Sequence, residues 1–198
     1  MTTGRASGLS TVQGFYWHAF LLGDRPLARR LQQRAFDHPT AVGGVLVGMF
    51  VVVVGWLCPG RYHPAEISQF AERVSRHTGA TYGVTADEVA RIILRELGEP
   101  AGDEDVGPTH PGTAELAVII TATRDLELRP GDIDSMISSA EGLARKWGTD
   151  PTAYRPGFIM RWRFEIAEGR RYGLAARKRW SAERMGAFVS WIRDDSAG

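Results

Sequence analysis

Two small groups of residues carry the donor types that hold metals. His63 and Glu66 lie across a helix start, close enough to share a cation, and Asp132, Asp134 and Glu141 gather three acids on one predicted helix. Neither group completes a site, because no HExxH, no ExxH pair of the di-iron type and no calcium loop of alternating acids surrounds them. They read as capping acids and solvated helix faces, and no metal or other cofactor is expected. Cys58 is a third candidate, a nucleophile if paired with one of His18, His38, His63, His77 or His110. It closes the most apolar run of the chain, where a thiol behaves as an inert small hydrophobe. Neither GxSxG nor GxxxxGK[ST] occurs, so no serine elbow or phosphate loop is encoded.

The stretch from Tyr154 to Trp180 has a different chemistry. Arg161, Arg163, Arg170, Arg171, Arg177, Lys178 and Arg179 supply charge for phosphates, and Trp162, Phe164, Tyr172 and Trp180 supply rings that can stack on bases. The competing reading is structural, with the rings packed on helices and the arginine stems covering them. Arginine is the default base throughout this chain and no recognised nucleic-acid motif encloses the stretch, which favours the structural reading.

The elements that would position these groups read as helices. Val12, Phe15, Tyr16, Ala19 and Phe20 recur at spacings of three and four, predicting a helix over Thr11 to Leu22 with one buried face. Gly23 breaks it, Asp24 caps the next helix, and Leu27, Ala28, Leu31 and Ala35 form that helix's stripe. Thr40 then caps the apolar run Ala41 to Leu57. Its seventeen uncharged residues reach the lower edge of a membrane span, Gly44 and Gly48 make a GxxxG pair, and Arg25, Arg29, Arg30 and Arg34 precede it. Four glycines lower its hydrophobicity and no second span accompanies it, so a central buried helix is expected, ahead of a membrane span or a buried strand over Val51 to Val54.

Pro64 and Glu66 open a helix carrying Ile67, Phe70, Ala71 and Val74, closed by Gly79. Thr85 and Glu88 form a capping box before Val89, Ile92, Ile93 and Leu97, with a stop at Gly98. Thr113 caps a helix bearing Leu116, Ile119, Ile120 and Thr123. After the turn at Arg129-Pro130-Gly131 another begins at Asp132, with the stripe Ile133, Met136, Ile137, Ala140, Leu143, Ala144 and Trp147. Pro64-Ala-Glu-Ile67 and Pro130-Gly-Asp-Ile133 both follow an apolar helix and open an amphipathic one, a hint of duplication. Met160 to Ile166 fits a helix better than a strand, and Ser181 caps a terminal helix with Met185, Phe188, Val189 and Ile192 inward.

These elements predict an all-α protein of about seven to nine helices, as two lobes or one bundle, with the central apolar helix in the N-terminal half. Residues 1–10 form a flexible N-terminus, 11–97 an N-terminal helical lobe, 98–112 an acidic Gly/Pro linker and 113–195 a C-terminal lobe. The chain of 198 residues has 43% hydrophobic and 24% charged residues, which excludes wholesale disorder, and its formal charge of +1 imposes no global electrostatic role. The charge is nonetheless polarised: seven acids stand between Asp87 and Asp105, and nine bases between Arg155 and Arg184. The single cysteine permits no internal disulfide and no thiolate cluster, and the Thr/Gly/Ser-rich start lacks a secretory apolar core, so a cytoplasmic location is expected.

Many packing stripes and no assembled reactive site predict a non-catalytic helical interaction or regulatory protein, partnered by another protein or by itself. A nucleic-acid accessory protein using the basic stretch is the second expectation. An enzyme with a site gathered from scattered residues is the third.

Overall fold

Thr11 opens the first helix by turning its hydroxyl back on the chain, where Oγ1 accepts the N–H of Gly14 at 3.0 Å. The computed structural model describes residues 9–60, 62–99 and 112–154. Among these it contains seven helices: α1 (Val12–Leu21), α2 (Arg25–Phe36), α3 (Pro39–Leu57), α4 (Pro64–Tyr82), α5 (Ala86–Glu96), α6 (Thr113–Asp125) and α7 (Pro130–Lys146). The only β pairing among the described residues is an isolated antiparallel bridge between Thr11 and Ala153. The protein is therefore all-α. The segments Met160 to Ile166 and Ser181 to Ile192, and most of the predicted linker, lie outside the described residues.

Helix ends follow local chemistry. Asp24 Oδ1 accepts the N–H of Leu27 at 3.1 Å, and Gly23 makes the preceding turn at φ 74°. The predicted box at α5 is formed: the N–H of Glu88 donates to Thr85 Oγ1, and the N–H of Thr85 donates to Glu88 Oε2 at 2.9 Å. Four boundaries differ from expectation. α3 starts at Pro39 after His38, not after a Thr40 cap, because proline at the first position needs no N–H partner. α4 runs through Gly79 to Tyr82 and stops at Gly83, whose φ of 67° and N–H bond to the Gly79 carbonyl close the helix. Thr113 is the first residue of α6 and not its cap, a position taken by Gly112, and α7 begins at Pro130, two residues before Asp132.

Packing arranges the helices across the chain. α3 packs most extensively on α7, α4 on α5 and α6, α1 on α2, and α3 also touches α6. The two apolar helices thus each lie against the amphipathic helix of the other half. The starts of α4 and α7 match in detail: Glu66 accepts the N–H of His63 at 3.2 Å and Asp132 that of Arg129 at 2.9 Å, each with proline at the first helical position. Helices from both sides of residues 98–112 contribute to one hydrophobic cluster, which also takes in Leu9.

That cluster is what holds the helices. Ile133, Met136 and Ile137 of α7 are fully buried, and at about 1.5–3 kcal/mol per side chain their burial outweighs the roughly 1 kcal/mol of any one cap. α3 is buried along Val42, Val45, Leu46, Met49, Phe50, Val53 and Val54. It is also long and apolar enough to cross a membrane, with half of its most apolar window buried against protein. Two predicted stripes need correction. α1 is buried on nearly every side, including Gln13, Trp17 and His18, whereas Phe20 is only half-buried. Trp147, placed inward by periodicity, lies just past the end of α7 and is 49% exposed.

Candidate functional site

A helix without a solvated face must bury its polar residues, and α1 does so against α7 and the segment 152–154. Glu141, 1% exposed, accepts from Ser10 Oγ at 2.8 Å and from Thr11 Oγ1 at 2.7 Å. Arg145, one turn on, donates to Ser10 Oγ at 3.1 Å and stands 3.8 Å from the same carboxylate. Four residues before Glu141, Ile137 faces Gly14, where a Cβ would collide with Glu141 Oε1, so glycine is what admits the carboxylate. Further along, His18 Nε2 lies 3.1 Å from Asp134 Oδ1, both side chains nearly sealed from water. Gln13 accepts the N–H of Thr152 at 2.9 Å, and the N–H of Val12 donates to the Thr152 carbonyl. These bonds satisfy polar groups inside the core and fasten the chain after α7 onto the start of α1.

This seam has the residue types of acid–base chemistry but not the geometry. Ser10 is bonded to Glu141 and Arg145, not to His18, so no nucleophile stands against a base, and the burial of His18 and Asp134 leaves no room for a substrate. The predicted acids are separated in the same way. Asp132 caps α7, while Asp134 and Glu141 are buried rather than solvated, which corrects the expectation of solvated faces. Glu66 is spent on capping α4. Among the described residues no three His, Cys, Asp or Glu side chains converge to hold a metal ion.

Cys58 is half-buried at the end of α3. Burial, and secondarily the Glu66 carboxylate, push its thiol above the ordinary value, away from nucleophilic thiolate. Of its candidate partners, His18 sits beside Asp134, His38, His63 and His77 are exposed, and His110 lies outside the described residues. Nearby, the Tyr62 hydroxyl donates to Glu99 at 2.7 Å, and that bond holds the phenol protonated above its usual range. Arg161, Arg163, Arg170, Arg171, Arg177, Lys178 and Arg179 all lie outside the described residues.

Two surface features were missed by periodicity. The first is the outer side of α3. Thr40, Val47 and Gly55 are exposed and Gly43 and Val51 half-buried, and no charged residue occurs anywhere in the helix. The absence of charge from Ala41 to Leu57 was the available signal. The second is a pocket of about 440 Å³ lined by Phe20, Leu21, Ala28, Ile120, Tyr82, Thr123, Arg25 and Arg124, with Gly23 at its edge. Its residues come from α1, α2, α4 and α6, so no local pattern could have shown it. No protein family, characterised protein or solved structure matches this chain at a significant level.

Proposed function

We propose that this chain is a cytoplasmic, non-catalytic helical interaction protein whose docking face is the uncharged outer side of α3. One observation carries the reading. A helix that turns one face to water ordinarily places charged side chains there, yet α3 presents Thr40, Gly43, Val47, Val51 and Gly55, with Val47 39% exposed. The neighbouring α7 runs antiparallel to α3, since Gly44 approaches Thr149 and Gly48 approaches Ala140. Trp147 therefore adds a large exposed aromatic surface beside the N-terminal end of α3. The small residues on α3 let another backbone approach closely, and Trp147 offers the rigid apolar contact that dominates interface energies. The buried polar residues of the seam are consumed internally, which supports binding rather than chemistry as the task of the fold. A lone cysteine suits a reducing compartment.

The experiment is site-specific photo-cross-linking of the full chain in cells. A photoreactive residue at Val47 is expected to give a discrete protein adduct that disappears when Val51→Lys is added, while the same group at the exposed Arg29 gives none. Equal adducts from both positions, no adduct at Val47, or capture of lipid there in place of protein would overturn the reading.

A further inference from the structure

The pocket between α1, α2, α4 and α6 is chemically two-sided. Phe20, Leu21, Ala28 and Ile120 make its lining apolar, and Arg25, Arg124 and Tyr82 add residues with polar donors to it. The acids next in sequence to the two arginines are both committed elsewhere: Asp24 caps α2 through the N–H of Leu27 at 3.1 Å, and Asp125 is held by Arg73 Nε at 3.2 Å. Among the described residues neither Arg25 nor Arg124 has an acidic partner. Arg124, in the last turn of α6, suits the negative end of that helix. Arg25 occupies the first position of α2, where a cation opposes the helix dipole and gains nothing from it. Two unpaired guanidinium groups beside an apolar hollow, one of them placed against its own helix, are what recognition of an anion requires.

We infer that this pocket binds a small amphipathic anion, a carboxylate or phosphate monoester on a short apolar body. A volume of about 440 Å³ falls within the range of sites for small organic ligands. The apolar body lies against Phe20, Leu21 and Ile120, and the headgroup sits between Arg25 and Arg124. The site is independent of the α3 face, so either can fail without the other.

Titration calorimetry on the full chain with octanoate, octyl phosphate and octanol tests this. One or both anions are expected to bind at a single site, with octanol at least roughly tenfold weaker, and added salt is expected to weaken only the anions. Whichever anion binds more tightly identifies the headgroup. Arg25→Gln with Arg124→Gln is expected to reduce anion affinity at least roughly tenfold with helicity unchanged by circular dichroism, because both side chains are exposed and hold up no packing. Octanol binding as tightly as the anions, undiminished anion binding by the double variant, or no binding of either anion up to about 10 mM would overturn the inference.

Discussion

Gly48 offers a sharp test of how α3 and α7 are held together. A Cβ built there stands 2.8 Å from the Ala140 carbonyl oxygen and 2.9 Å from the Ala140 Cα, both backbone atoms that cannot swing aside. Ordinary contact needs about 3.4 Å or more, so Gly48→Ala must push the two helices apart by roughly half an ångström, at an overpacking cost of about 1–3 kcal/mol. Replacing a helical glycine by alanine also gains about 0.8–1 kcal/mol of propensity. The net expectation is a destabilisation of roughly 1 kcal/mol. Gly43 and Gly55 lie in the same helix with nothing within 4 Å of the added Cβ, so there the propensity gain stands alone and the sign reverses. Urea denaturation followed by ellipticity at 222 nm reads the difference. With a slope of about 2 kcal/mol per molar, the midpoint of Gly48→Ala should fall by about 0.5 M and that of Gly43→Ala rise by a similar amount. If Gly48→Ala proves as stabilising as Gly43→Ala, the close approach of α3 and α7 is wrong.

Other expectations follow from the buried seam and the termini. Glu141→Ala strands the Ser10 and Thr11 hydroxyls and should cost about 2–4 kcal/mol in the same denaturation assay, whereas a neutral result would mean that the carboxylate is solvated. Thr85→Ala removes one half of the α5 capping box and should cost about 1 kcal/mol, with Thr85→Ser restoring most of it. The Cys58 thiol should titrate above a free cysteine, since burial and the Glu66 carboxylate both disfavour thiolate. Its alkylation by iodoacetamide at pH 8 should therefore be slower than that of free cysteine and should accelerate in Glu66→Gln; a faster rate than free cysteine would refute the burial argument.

The helical content was legible because its determinants are local. The Thr85–Glu88 box, the Asp24 cap and the stripe Ile133, Met136, Ile137 depend on residues three and four apart, and a helix forms or stops on those relations. The four shifted boundaries are local too, and there proline and positive-φ glycine overrode hydroxyl caps: Pro39 displaced Thr40, and Gly83 rather than Gly79 ended α4. Of the candidate metal residues, Glu66 and Asp132 act as caps and Asp134 and Glu141 as buried partners, roles set in part by neighbours far away in sequence.

What lay beyond the sequence is every relation between helices. Glu141 meets Ser10 and Thr11 across some 130 residues, and Arg25 and Arg124 line one pocket from different helices, relations no periodicity encodes. The amphipathic stripe of a helix says which side is buried but not against what, and a helix without a charged face such as α1 or α3 does not say even that. By itself the sequence determined the helices, most of their ends and the inward faces of α2, α4 and α5, with the apolar part of that of α7. Only tertiary packing decided that His18 lies beside Asp134, that Glu141 fits above Gly14, and that α3 keeps an uncharged side toward the surface, because helix pairing is set by which surfaces interlock at close range and not by the order in which they are read.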